Sequence, residues 1–254
     1  MKVVILAGGR GTRLSEETGV RPKPMVEIGG RPILWHIMKL YSHYGHNQFV
    51  ICLGYKGQVI RDYFTNYWRH QDCTVYTAYN RVDTHDCLED WEIELVDTGE
   101  DTMTGGRIAA VADRLGNEPF MLTYGDGLAN VCLSDLLAFH HRHGRLCTVL
   151  SARPEGRFGV MEIDYTKHVT RFNEKPKASE PWINAGFFIC QPGVLDYIDD
   201  DPQCVFERWP LKQMVADDEL CAYRHNGFWR PMDTLGDKIY LEECWQTNPE
   251  WKVW

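Results

Sequence analysis

Apolar residues along this chain fall in short blocks whose period switches between strand-like and helix-like. Val3 to Ala7 is an unbroken apolar run that follows Lys2 and stops at Gly8-Gly9. A run this short, bounded by glycines, predicts for Lys2 to Ala7 a strand buried on both faces. Pro32 to Tyr44 instead sets Ile33, Leu34, Ile37, Met38, Leu40 and Tyr41 at helical spacing on one broad face. Phe49 to Leu53 predicts a second strand and Gln58 to Tyr67 a second helix. Phe120 to Tyr124 predicts another strand, ending in Gly125-Asp126-Gly127. Ser134 is expected to cap a helix running to His143, with a strand over Leu146 to Ala152 after it. Further on, Gly159 to Asp164 and His168 to Asn173 predict a strand pair. Gly186 to Cys190 predicts a strand, and Trp209 to Ala216 and Leu235 to Trp245 predict helices. The stretch from Asn66 to Asp97 is rich in Tyr, Trp and charge with weak periodicity, so a lid, an oligomer contact and an irregular excursion all stay open for it.

The β-α-β alternation of the first half predicts an α/β fold: a Rossmann-like, doubly wound, mostly parallel sheet with helices on both faces. The second half adds a small β-rich portion. No repeat, linker or low-complexity segment divides residues 1–254, so one domain is expected. A chain of 254 residues can hold one large core. No apolar run approaches the roughly 20 residues of a membrane span, and the first strand is too short for a signal peptide. Nine cysteines without a C-x-x-C pair fit reduced thiols and a cytoplasmic location. The net charge of -9 argues against nucleic acid as the main partner. It leaves room for a small phosphorylated ligand, which needs positive charge only locally.

That local charge is present. After the first strand comes Gly8-Gly9-Arg10-Gly11-Thr12-Arg13-Leu14. Glycines here let the backbone approach a ligand and aim N–H groups at phosphate oxygens. A tight turn alone would explain Gly8-Gly9; two arginines and a threonine in the same loop favour the phosphate. The dinucleotide fingerprint fails, because Leu14 stands where its third glycine belongs, and no Gly-Lys-Ser/Thr ends a P-loop. Arg21-Pro22-Lys23-Pro24 then holds a lysine on a stiffened backbone. Asp126 lies at the carboxyl end of a strand between two glycines, where parallel sheets bind ligands. Asp233 reads equally as a metal ligand and as the N-cap of the following helix. His140-His141-x-His143 does not put three imidazoles on one helix face and is not read as a metal site. No Ser-His-Asp arrangement stands out.

Leu6-Ala7-Gly8-Gly9-x-Gly11-Thr12-Arg13-Leu14 followed by Pro22-Lys23-Pro24-Met25 resembles the signature of sugar-phosphate nucleotidyltransferases. The resemblance continues through Gly125-Asp126, Glu174-Lys175-Pro176 and Asn184-Ala185-Gly186. Pro32 to Met38, Gly54-Tyr55-Lys56-Gly57, Val96 to Gly99, Met103 to Arg107 and Phe228 to Thr234 resemble the branch that joins CTP to glucose 1-phosphate. The resemblance implies an Mg²⁺-dependent in-line transfer with no covalent enzyme intermediate. Roughly residues 1–130 would bind nucleotide and 131–254 the sugar phosphate. Arg13, Lys23 and Asp126 would be catalytic, and Asp126 and Asp233 would hold the metal. Leu6, Ala7, Gly8, Gly9, Arg10, Gly11, Thr12, Thr102, Thr104, Gly105, Arg107 and Gly125 would bind the nucleotide. Lys175 would bind the sugar phosphate, and Glu174 and Asn184 its hydroxyls. Gly159 and Gly186 would let the sugar lie against the backbone. CDP-glucose for deoxysugar and surface-polysaccharide synthesis would be the product. A homo-oligomer, a hexamer by resemblance, is expected, with Tyr63 to Trp68 a candidate contact. Transfer from dTTP or UTP, a catalytically silent sugar-nucleotide sensor and a nicotinamide oxidoreductase are the alternatives.

Overall fold

The computed structural model describes residues 1–67, 74–77, 80–82, 89–154, 160–173 and 181–254. Its strands are β1 (Lys2–Leu6), β2 (Glu27–Ile28), β3 (Arg31–Pro32), β4 (Gln48–Leu53), β5 (Thr74–Thr77), β6 (Asn80–Val82), β7 (Glu92–Asp97) and β8 (Phe120–Tyr124). They continue as β9 (Gly127–Ala129), β10 (Cys147–Ala152), β11 (Val160–Ile163), β12 (Val169–Asn173), β13 (Ile183–Cys190), β14 (Leu220–His225) and β15 (Trp229–Pro231). The helices are α1 (Ser15–Thr18), α2 (Ile33–His43), α3 (Gly57–Tyr67), α4 (Thr104–Ala109), α5 (Ala112–Leu115), α6 (Leu133–His143), α7 (Trp209–Ala216) and α8 (Leu235–Thr247).

Nine strands form one sheet in the order β14-β10-β13-β8-β1-β4-β7-β5-β6. Most pairings are parallel; β13 runs antiparallel to both of its neighbours, β10 and β8, and β6 antiparallel to β5. The predicted mostly parallel sheet is therefore present. Strand β1 sits centrally between β4 and β8 and is buried on both faces, as its unbroken apolar run requires. Val3 and Ile5 join one apolar layer, with Leu34, Ile37 and Met38 of α2 and Ile60 and Phe64 of α3. Val4 and Leu6 join the other, with Ile108 of α4, Leu115 of α5 and Met214 of α7. Alternation along a single strand thus builds a core on each side of the sheet.

Several boundaries differ from expectation for physical reasons. Helix α6 begins at Leu133 with Cys132 as its N-cap and no side-chain cap bond, so Ser134 lies inside the first turn rather than capping it. Strand β13 starts at Ile183, ahead of the expected Gly186, because its pairing with β10 continues past an irregularity in register. Within the weakly periodic stretch, Glu92 to Asp97 forms β7, whose Ile93 and Leu95 face the core while Glu92 and Glu94 do not. Strand β14 was not predicted and lies half-exposed at the sheet edge. The proposed oligomer contact at Tyr63 to Trp68 lies partly outside the described residues. The histidines declined as a metal site are structural: His140 Nδ1 and His143 Nε2 both meet Thr148 Oγ1, at 2.8 and 2.7 Å. No helix among the described residues is long and apolar enough to cross a membrane.

The C-terminal segment is fixed to α2 by His36, which is fully buried. Its Nε2–H donates to the Ile28 carbonyl at 2.9 Å, and its Nδ1 accepts from the Trp251 indole at 3.3 Å. Both ring nitrogens are satisfied in the neutral form, and burial pushes the pKa from 6.5 down to about 4. The folded state thus refuses a proton that the unfolded chain accepts below 6.5, so stability falls as pH drops from 6.5 toward 4. We expect His36 to cost about 2 kcal/mol between pH 7 and pH 5, above the range where ordinary carboxylates titrate. Burial pushes His140 down to about 4 as well, so the check compares urea unfolding of the wild type and of His36→Gln across that window: the acid loss should shrink by about 2 kcal/mol in the variant, and an unchanged profile would refute it.

Candidate active site

The carboxyl ends of β1 and β8 open into a cleft of about 510 Å³. The loop after β1 forms one wall through Gly8, Gly9, Gly11, Thr12 and Arg13, with Leu6 and Ala7 at its base. Lys23, Gly125 and Asp126 line the cleft as well, together with Thr102, Thr104 and Arg107. Most residues singled out in the sequence therefore share one cavity.

Asp126 and Asp233 lie far apart in sequence and meet for a local reason. Strand β9, directly after Asp126, pairs antiparallel with β15, directly before Met232 and Asp233. The Met232 N–H donates to the Asp126 carbonyl at 2.8 Å, closing the ladder. The N-cap of α8 falls to Thr234, whose hydroxyl and Asp237 form a capping box. The Asp233 carboxylate is thereby not spent on the cap and reaches the cations Lys23 and Arg13 that line the cleft. Lys23 Nζ donates to Asp126 Oδ2 and to Asp233 Oδ1, both at 2.6 Å. Arg13 Nη1 donates to Asp233 Oδ2 at 2.8 Å while its side chain stays 73% exposed. Burial works against the Lys23 charge, but Asp126 and Asp233 outweigh it and hold the lysine above its ordinary range.

These two carboxylates also fit a hard divalent cation. They converge on one positive charge already, and they offer only oxygen donors. Magnesium characteristically takes one or two carboxylates and completes its shell with phosphate oxygens and water.

Other expected residues take different places. Arg10 turns from the cleft to Glu100 and Asp101, at 3.1 and 2.7 Å. The Gly105 N–H donates to the Cys204 carbonyl at 2.9 Å, and that of Met103 to Pro202 at 2.7 Å, so the start of α4 is tied to the 202–204 segment. Arg107 is 3% exposed. Its Nη1 donates to Leu53 O, Thr98 Oγ1 and Gly99 O, at 3.0, 2.7 and 2.8 Å. Its Nη2 donates to Gly8 O and Glu100 O, at 3.0 and 3.3 Å. Its guanidinium thus ties the loop after β1 to those after β4 and β7, and a Cβ on Gly8 would lie 2.2 Å from it. Asn184 Nδ2 donates to the Tyr124 hydroxyl at 3.0 Å, and Asn184 Oδ1 accepts from the Gly186 N–H at 2.7 Å. Gly186 has φ +82°, and its missing Cβ makes room for the Tyr124 ring rather than for a ligand. Gly159, Glu174 and Lys175 lie outside the described residues.

Sequence reading missed Tyr124 and Glu207, both of which line the cleft. Tyr124 stands two residues before Asp126 at the end of β8, a position the strand pattern could have flagged. Glu207 carries no motif.

A family model described as "Nucleotidyl transferase" matches residues 2–230. The chain is 51% identical to the glucose-1-phosphate cytidylyltransferase of Salmonella typhi, over 100% of both chains. It is 44% identical to the probable glucose-1-phosphate cytidylyltransferase of Bacillus subtilis, again over 100% of both. A UDP-glucose pyrophosphorylase solved with UDP-glucose matches the structure with a TM-score of 0.69 at 17% identity, covering 96% of this chain and 98% of that one. HddC from Yersinia pseudotuberculosis, complexed with GMP-PN, gives 0.68 at 22% identity, covering 96% and 99%. These two structural likenesses speak for the fold alone.

Replacing Arg107 by Met keeps much of its bulk and leaves several buried carbonyls without their donor. We expect Arg107→Met to lose about 3 kcal/mol or more in urea unfolding. A loss below about 1 kcal/mol would show that the clamp is not a structural tie.

Proposed function

The chain belongs to the nucleotidyl transferase family, and we propose that it transfers a cytidylyl group from CTP to α-D-glucose 1-phosphate, giving CDP-glucose and pyrophosphate. One observation carries the choice of nucleotide and sugar: 51% identity, over the full length of both chains, to a glucose-1-phosphate cytidylyltransferase. The cleft supplies the parts this chemistry needs.

A phosphate oxygen of glucose 1-phosphate attacks the α-phosphorus of CTP in line. The new O–P bond forms as the bond to the β-phosphate bridging oxygen breaks, and pyrophosphate carries away the electron pair. No residue of the chain forms a bond to the substrate. Catalysis then rests on positioning and on neutralising charge where it develops. Lys23, kept charged by its neighbouring carboxylates, faces the α-phosphate and the attacking phosphate. Arg13, tethered at one end and largely exposed, swings onto the triphosphate. In our reading Asp126 and Asp233 hold Mg²⁺, which when bound neutralises phosphate oxygens and orients them for displacement. The loop from Gly8 to Thr12 cradles the phosphates, and Thr102 and Thr104 offer hydroxyls to the nucleoside. Lys175 binds the sugar phosphate, with Glu174 and Asn184 on the hydroxyls. The first half of the chain, roughly 1–130, serves the nucleotide and the second the sugar phosphate. We further propose a cytoplasmic homo-oligomer, a hexamer by resemblance, whose product feeds deoxysugar and surface-polysaccharide synthesis.

Pyrophosphate release with glucose 1-phosphate and Mg²⁺, run in parallel with CTP, UTP, dTTP, ATP and GTP, tests the assignment. CTP is expected to be a good substrate, and turnover with other nucleotides but not with CTP would overturn the branch. Binding of CDP-glucose without any turnover would favour a sensor. In the same assay Asp126→Ala is expected to lower kcat/KM by about 10³-fold, on the order of 4 kcal/mol of transition-state stabilisation. Near-normal turnover would refute its place at the metal.

A further inference from the structure

An acidic side chain lining a cleft built for a polyanion requires an explanation. Glu207, in the segment just before α7, is such a group. Its two oxygens are engaged in an ordered way. Glu207 Oε1 accepts from the Tyr124 hydroxyl, and Glu207 Oε2 accepts from the Thr104 hydroxyl at 2.6 Å. Arg13 and Lys23 pair with Asp126 and Asp233 instead.

An ionised carboxylate can only accept, and a hydroxyl has one proton to give. The Tyr124 proton is therefore committed to Glu207, and the Tyr124 oxygen must act as acceptor toward its other partner, Asn184 Nδ2. The Gly186 N–H requires the Asn184 oxygen on its side, which turns the amide nitrogen to Tyr124, and a Tyr124 oxygen free to accept is what that nitrogen needs. One N–H of Asn184 and one lone pair of its oxygen remain for a substrate hydroxyl. On the other side the Thr104 proton is committed to Glu207, while the Thr104 oxygen accepts from the Phe206 N–H at 2.9 Å. Both hydroxyls thus take their hydrogen-bond direction from one anion, and Tyr124 is left as the acceptor that the Asn184 amide requires.

We propose that Glu207 is a positioning residue for the transfer reaction: by taking the Tyr124 proton it makes Tyr124 the acceptor that anchors the Asn184 amide toward the sugar, and by taking the Thr104 proton it fixes Thr104 on the nucleoside side. This rests on the reading of the cleft as a site for a nucleoside triphosphate and a sugar 1-phosphate. A purely structural Glu207 would stabilise the 202–208 segment without favouring one substrate over the other.

The two branches can be cut separately. Tyr124→Phe is expected to raise KM for glucose 1-phosphate about tenfold, roughly the worth of one hydrogen bond, and to leave KM for CTP unchanged. Thr104→Val is expected to do the reverse. Glu207→Gln must reverse at least one hydroxyl and is expected to raise KM for glucose 1-phosphate. Adding Tyr124→Phe to it should raise that KM no further, because both act through one chain of bonds. Thermal midpoints of all variants separate loss of positioning from loss of fold. Equal effects of Tyr124→Phe on both substrates, or additive effects of the pair, would overturn the proposal. A second readout needs no turnover: the Asn184 side-chain amide resonances of the intact chain in nitrogen-15 NMR. They should shift and exchange faster in Glu207→Gln. If they do so while the wild type releases no pyrophosphate, the functional reading fails and the positioning stands. If they do not move, the positioning fails whatever the activity.

Discussion

The site depends on one buried ammonium. Lys23 sits between Asp126 and Asp233, and each of the three groups makes the others tolerable. Two carboxylates brought this close would repel each other without a cation between them. A lysine so withdrawn from water would lose its proton without anions beside it. Each partner comes from a different part of the chain: the short turn after α1, the end of β8 and the end of β15. The ion triad is therefore possible only once the sheet has ordered β1 beside β8 and the β9–β15 ladder has closed. Folding and assembly of the charged centre are the same event, and the stiff prolines either side of Lys23 lower what it costs to hold the ammonium in place.

A second constraint acts on the loop after β1. Residues 8–11 have no regular structure of their own, and Arg107 provides the tie that a strand ladder would otherwise supply. Its charged donors reach carbonyls at the ends of three neighbouring segments, and the absence of a side chain at Gly8 lets them come close. This is why the resemblance of Met103 to Arg107 to a known motif was readable while its physical role was not. Sequence alone cannot separate an arginine that meets a ligand from one that holds the loop that meets it. The difference lies in burial and in the number of acceptors around the guanidinium.

The same limit explains what was legible and what was not. Strands β1 and β8 were clear because they are buried on both faces and bounded by glycines. Helix α2 was clear because its broad apolar stripe has one period. Strand β7 was hidden although Glu92-Ile93-Glu94-Leu95 alternates cleanly, because the irregular residues before it blurred the pattern over the whole stretch. Strand β14 packs on one neighbour only, so its apolar content is thin. Asp233 could not be told from a helix cap until Thr234 took that role. Gly186 reads as room for the sugar against the backbone, while in the structure a Cβ there would meet the Tyr124 ring, a contact between strands that no local motif encodes. Glu207 is a single acid in an ordinary segment, and only the three-dimensional meeting of Tyr124 and Thr104 distinguishes it.

The charge balance at the floor of the cleft bears on how an acidic protein accepts a polyanion. Arg13 and Lys23 bring two positive charges, and Asp126 and Asp233 bring two negative ones, so the quartet is neutral as it stands. It does not attract a triphosphate by excess charge, and the net charge of -9 gives no long-range help. Its value is in how it is arranged. Both cations are held by Asp233, and Lys23 by Asp126 as well. On the proposed function, a divalent ion taken up by the two carboxylates would compete with Lys23 and Arg13 for the same oxygens and so free them for the phosphates. Binding of the polyanion and binding of its counter-ion would then be thermodynamically linked, and without that ion the four charges satisfy one another, which lets a buried lysine and two neighbouring carboxylates coexist.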